Sequence, residues 1–117
     1  MVYSFRFQVM RPISPKIKQE LENDPRMKHC IACKSMEVEW DHALTYAGRQ
    51  LDEPYAIQPL CTNCHRGNSG RKQPYAKVVS ELTAISMGLQ DLQKRYPKTD
   101  WLQRKKTLEV MLKNTLL

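Results

Sequence analysis

The residues of this chain best suited to chemistry lie between positions 30 and 65. All four cysteines stand there in two pairs, Cys30-x-x-Cys33 and Cys61-x-x-Cys64. A C-x-x-C turn brings two thiolates within reach of one tetrahedral ion, and two such turns complete a four-coordinate zinc site. The gap between the pairs holds 27 residues, longer than a compact zinc ribbon, so a hairpin must fill it. Four cysteines close the coordination sphere and leave no position for substrate. This zinc is therefore expected to be structural, with any reaction located elsewhere. Disulfides or a redox dithiol are the competing uses of the same thiols.

Within the gap stands Glu39-Trp40-Asp41-His42, and His65 directly follows Cys64. Taken singly, an Asp-His pair in a strand is an ordinary structural feature. A histidine beside a zinc cysteine can be an alternative ligand or a helix-start residue. His29, just before Cys30, is read as a surface residue.

The elements that must position these residues follow from periodicity. Glu37 to His42 and Ala56 to Leu60 are strand-like. Ala43 to Tyr55, with Gly48 and Pro54, is a long connection between them. Tyr3, Phe5, Phe7 and Val9 alternate with polar residues and predict a half-buried N-terminal strand. Ser14-Pro15 reads as an N-cap and first-turn proline, opening a helix to about Glu22 that Asn23-Asp24-Pro25 ends. Arg66 to Pro74 reads as a basic, flexible linker. Tyr75 to Met87 is a predicted helix with Tyr75, Val78, Val79, Leu82 and Ile85 on one face and Gly88 at its end. Leu89 to Tyr96 forms another short helix, closed by Pro97. Thr99 or Asp100 then caps a last helix to about Asn114 that buries Trp101, Leu108, Met111 and Leu112.

Together the motifs resemble the HNH endonucleases, the ββα-metal or His-Me finger group, over about residues 30 to 66. The family pattern is C-x-x-C, an Asp-His pair ending a strand, then a loop and a strand reading roughly N-L-x-x-L-C-x-x-C-H. Here Cys30-x-x-Cys33 and Asp41-His42 are followed by Ala56-Ile57-Gln58-Pro59-Leu60-Cys61-x-x-Cys64-His65, with His65 placed 23 residues after His42. The flanks, including YAGRQ at 46 to 50, resemble those of small phage or prophage members. The resemblance implies one α+β domain over 1–117. Its zinc-stapled ββα-metal core, treble-clef-like, covers about 30–70. A helical extension covers about 75–116, and the N-terminal strand flanks the core.

The resemblance also implies a mechanism. His42 is the general base that takes a proton from water, which an imidazole does near neutral pH. Asp41 and His65 hold a catalytic Mg²⁺ or Mn²⁺; carboxylate suits the first and imidazole the second. One position departs from the pattern. Ala56 stands where the family commonly has an Asn that braces the loop carrying the base. If bracing alone is missing, Ala56→Asn is expected to preserve or raise activity. Ala56 also keeps two alternatives open: a non-catalytic zinc module that binds nucleic acid, or a degenerate nuclease fold used as a protein-binding inhibitor.

Charge favours a polyanionic partner, with DNA expected. The 117 residues carry a formal +7. Residues 1–60 hold eight Lys/Arg and eight Asp/Glu, whereas 61–117 hold eleven against four. Arg49, Arg66, Arg71 and Lys72 are the candidate phosphate contacts, each with a solvated surface role as the plain alternative. Arg104-Lys105-Lys106 is read as an exposed helix face outside the site. No apolar run is long enough to span a membrane, and no signal-peptide pattern opens the chain. The expected location is the cytoplasm, that of the host if the protein is phage-encoded, where paired cysteines more often hold metal than form disulfides.

Overall fold

The computed structural model describes residues 13–67 and 70–116. The alternating segment from Tyr3 to Val9 lies outside the described residues. Helix α1 runs Pro15–Glu22; Ser14 Oγ accepts from Ile17 N at 3.4 Å and Pro15 opens the first turn, as the sequence predicts. A single 3₁₀ turn, Pro25–Lys28, carries the chain to the first cysteine pair.

The gap between the cysteine pairs folds as two small antiparallel ribbons. Strand β1 (Glu39–His42) pairs with β4 (Ile57–Leu60), setting Glu39 opposite Leu60 and Asp41 opposite Gln58. The connection between them is not irregular throughout. It contains strands β2 (Thr45–Tyr46) and β3 (Arg49–Gln50), turned by Ala47 and Gly48, both at positive φ. The Asp41-His42 pair thus ends a strand whose partner leads straight into Cys61. Helix α2 (Thr62–Arg66) starts on that cysteine and carries Cys64 and His65.

Two long helices complete the chain. As the sequence predicts, the helix breaks at Gly88: Pro74–Arg95, taken together as α3, is two helical segments that meet at a kink where Gly88 is non-helical (φ −109°, ψ 16°). Tyr55 accounts for the glycine: a Cβ at Gly88 would collide with the Tyr55 ring, so the missing side chain lets the connection pack on the helix. Helix α4 spans Trp101–Leu116, and Asp100 Oδ1 caps it by accepting from Gln103 N at 3.0 Å.

Tyr46 docks the β2–β3 ribbon at the junction of α3 and α4. The Tyr46 ring lies 5.1 Å from that of Tyr96 and 6.2 Å from that of Trp101. Leu44, Leu51, Ala56, Ile85, Leu92, Trp101 and Leu108 form one core there. Met111 on α4 is 42% exposed rather than buried. On α3, Val78 and Ile85 are buried as expected, whereas Tyr75 is exposed, because the buried face is shared with Ala76, Ser80 and Ala84. A second core surrounds the cysteines, and a third joins α1 to Ile57. The architecture is a mixed α+β fold with short antiparallel strand pairs and a four-cysteine cluster.

Candidate functional site

The two C-x-x-C turns meet. All four Sγ atoms lie within 4.8 Å of one another, none is in a disulfide, and all but Cys33 are buried. Backbone amides shape the turns: Lys34 N donates to Cys30 O at 2.9 Å and His65 N to Cys61 O at 2.8 Å. The thiols do not behave alike. Burial opposes ionisation of Cys30, but hydrogen bonds from the Cys61, Cys33 and Ala32 backbone bring it down to about 7. Burial and the neighbouring sulfurs push Cys64 up. Four packed thiols can all ionise only around a shared cation, and the cluster is consistent with a structural Zn²⁺.

Beside this cluster, the structure brings Asp41 and His65 together. His65 Nε2 lies 3.4 Å from Asp41 Oδ1, and Nδ1 lies 2.8 Å from Glu39 Oε1. Glu39 is two residues before Asp41 on β1, so strand alternation puts both carboxylates on one face. That spacing was a legible signal for Glu39, which sequence reasoning left without a role. Glu39 also holds Arg66 at 2.9 Å and accepts from Thr62 Oγ1 at 3.2 Å.

Asp41 is buried, with 3% exposure, and both of its oxygens are engaged. Lys72 Nζ lies 2.9 Å from each of them, and Ser80 Oγ donates to Oδ2 at 2.9 Å. Burial alone would raise the Asp41 pKa, but His65 and Lys72 overcome it and hold the carboxyl below its usual value. His65 is the mirror case. Burial disfavours its charge, but Asp41 and Glu39 raise its pKa above the ordinary histidine value. The end of the segment read as a linker returns to the site: Lys72 is pinned on Asp41, and Gln73 N donates to Cys64 O at 2.9 Å.

His42, the last residue of β1, lines a cleft of about 330 Å³ with Ala43, Thr45, Gln50, Lys72, Lys77, Glu81 and Arg104. Lys72 touches both Asp41 and this cleft, so the two halves of the site adjoin. Arg49, Arg66 and Arg71 are exposed but do not line the cleft. Arg104, placed outside the site by sequence reasoning, is in its wall. No local pattern marks Arg104 or Ser80, because the helical hairpin delivers both from distant sequence. No known family model, curated protein or solved structure matches the chain.

Ala56 has no exposure and packs in the main core. The loop after His42 is braced by other means. Ala43 N donates to Ala56 O at 2.8 Å, and Gln58 Nε2 to Tyr55 O at 2.8 Å. Arg26 donates to Pro54 O at 2.6 Å and Ile57 O at 3.0 Å. Gln58 was set aside because it does not stand at the pattern position, and Arg26 was missed because its bracing comes from a turn 28 residues away from Pro54. The third histidine, His29, is exposed and stands apart from this cleft.

Proposed function

We propose that this protein is a metal-dependent endonuclease of the HNH, or ββα-metal, type, hydrolysing DNA phosphodiesters, with a structural Zn²⁺ in its cysteine cluster. One observation carries the reading: His65 lies between two carboxylates. Glu39, ionised, can only accept, so His65 Nδ1 donates to it. In the neutral ring, Nε2 then presents a lone pair toward Asp41 Oδ1 at 3.4 Å. Two electron-rich atoms facing each other at that distance call for a cation between them, whether a proton or a metal ion. A histidine oriented by an outer carboxylate is the usual arrangement of metal ligands. The spacing also fits, since neighbouring ligands about 2.1 Å from one ion lie roughly 3 Å apart.

Asp41 and His65 would hold the ion. Mg²⁺ or Mn²⁺ there supplies charge neutralisation at the scissile phosphate and the leaving oxygen. His42 takes a proton from water in the adjoining cleft. The Ala43–Ala56 hydrogen bond, with Gln58 and Arg26 behind it, keeps the loop after His42 from drifting. The cationic lining of the cleft draws in the phosphate backbone. A thiolate-held zinc suits a reducing compartment, in keeping with a cytoplasmic protein.

A second reading has its own support. Lys72 already neutralises Asp41, and it must leave or share that carboxylate before a divalent ion binds. If Lys72 is a permanent counter-charge, the protein is a zinc-containing binding module rather than an enzyme.

Plasmid nicking with added Mg²⁺ or Mn²⁺ separates the two. The enzyme reading expects divalent-dependent cutting, reduced roughly 10²–10⁴-fold in His42→Ala. Cutting by Asp41→Ala should partly recover as Mn²⁺ is raised, and that by His42→Ala should not. An intact, zinc-loaded protein that cuts neither DNA nor RNA with either ion refutes it.

A further inference from the structure

Arg104 and Glu81 form a bidentate pair in the cleft wall. Arg104 Nε donates to Glu81 Oε2 at 2.7 Å and Nη2 to Oε1 at 2.9 Å. A guanidinium has two such edges. Glu81 takes the side edge, and the end edge, Nη1 with the second N–H of Nη2, is claimed by no carboxylate among the described residues. Glu81 is only 18% exposed whereas Arg104 is 42% exposed, so the pair is anchored on its acidic side and open on its basic side. The charge balance points the same way. Asp41 offsets Lys72 and Glu81 offsets Arg104, which leaves Lys77, a turn before Glu81 on α3, as uncompensated positive charge in the cleft lining.

We propose that Arg104, oriented by Glu81, grips a phosphate of the nucleic-acid backbone in the His42 cleft, so that the α3–α4 hairpin is part of the substrate site. The substrate class rests on the nuclease reading above. An open end-on fork matches two phosphate oxygens, which a lysine point charge does not. Thr45 and Gln50, also in the lining, add a hydroxyl and an amide of the kind that contact phosphate and sugar. At about 330 Å³ the cleft suits a single backbone segment rather than a whole duplex. Glu81 is a positioning residue: it reaches the phosphate only through Arg104.

The test measures binding of a labelled mixed-sequence DNA duplex to the zinc-loaded full chain, with no added Mg²⁺ or Mn²⁺, across a salt series. One phosphate contact contributes about 0.9 to the log–log salt slope, which is roughly eightfold in affinity at 0.1 M salt relative to 1 M. Arg104→Ala should flatten the slope by about that amount and weaken binding correspondingly. Arg104→Lys keeps the charge and the aliphatic stem, so it should retain the slope while binding severalfold more weakly for want of the fork. It also serves if Arg104→Ala fails to fold. A wild-type slope in folded Arg104→Ala, or unchanged affinity in Arg104→Lys, overturns the proposal. So does failure of the wild type to bind DNA at low salt. Arg104-dependent binding of an acidic peptide in place of DNA overturns the ligand class. A wild type that cuts DNA but has an Arg104-independent slope keeps the nuclease reading and loses the clamp. One that binds through Arg104 without cutting does the reverse.

Discussion

Glu39→Gln should lower the proton affinity of His65. The ring is half-buried, which by itself disfavours the charged form, but its hydrogen bonds to Asp41 and Glu39 raise the pKa above the usual 6.5. Glu39 supplies the shorter contact, 2.8 Å against 3.4 Å for Asp41. A hydrogen bond to a charged group contributes about 1.5–3 kcal/mol. The Glu39 side chain is 27% exposed and shared with Arg66, so solvent and competition reduce its part to about 1 kcal/mol. The His65 pKa should then fall toward the ordinary histidine value. An NMR titration of the zinc-loaded protein without other divalent ions reads this directly. Stability follows with a defined sign. A histidine pKa raised by folding adds stability that is fully present below about pH 6.5 and is lost as pH climbs through the folded value. In urea unfolding, the wild type should exceed Glu39→Gln most between about pH 4.5 and 6.5; the gap should narrow above the folded His65 pKa and again in acid, as Glu39 itself takes up a proton. An unchanged His65 titration in Glu39→Gln, or a gap independent of pH, refutes the carboxylate–imidazole argument.

The cysteine cluster, Ala56 and Gly88 give three further expectations. Cys61→Ser should abolish stoichiometric zinc in native mass spectrometry and unfold the chain, since structural zinc contributes on the order of 10 kcal/mol in small domains; a metal-free protein that stays folded with free thiols refutes this. Ala56→Asn should cost about 1–3 kcal/mol in urea unfolding, because the side chain enters a core with no exposure and buries an amide; unchanged stability with raised nicking would restore the loop-bracing expectation instead. Gly88→Ala should destabilise by about 1–2 kcal/mol, the collision with Tyr55 outweighing the helix-propensity gain; a neutral or stabilised variant refutes the close approach.

Short-range chemistry was legible in the sequence. The cysteine spacing announces a four-sulfur cluster because each C-x-x-C is a local turn. Ser14-Pro15 and Asp100 announce helix starts because caps act within three residues. Glu39 was within reach of the same logic, since alternation alone puts it on the Asp41 face. The break at Gly88 was legible as well, because glycine weakens a helix locally, but the contact that requires the glycine comes from Tyr55, 33 residues earlier. What the sequence by itself determined is therefore local: two C-x-x-C turns whose four thiols cluster, and an Asp41-His42 pair at the end of a strand. Only the tertiary structure decided how that set is charged and enclosed. Lys72 and Ser80 close on Asp41, Arg104 reaches the His42 cleft, and Ala56 faces the core. Each depends on how α3 and α4 pack against the β ribbons, and such long-range packing leaves no local pattern in the residues that carry it.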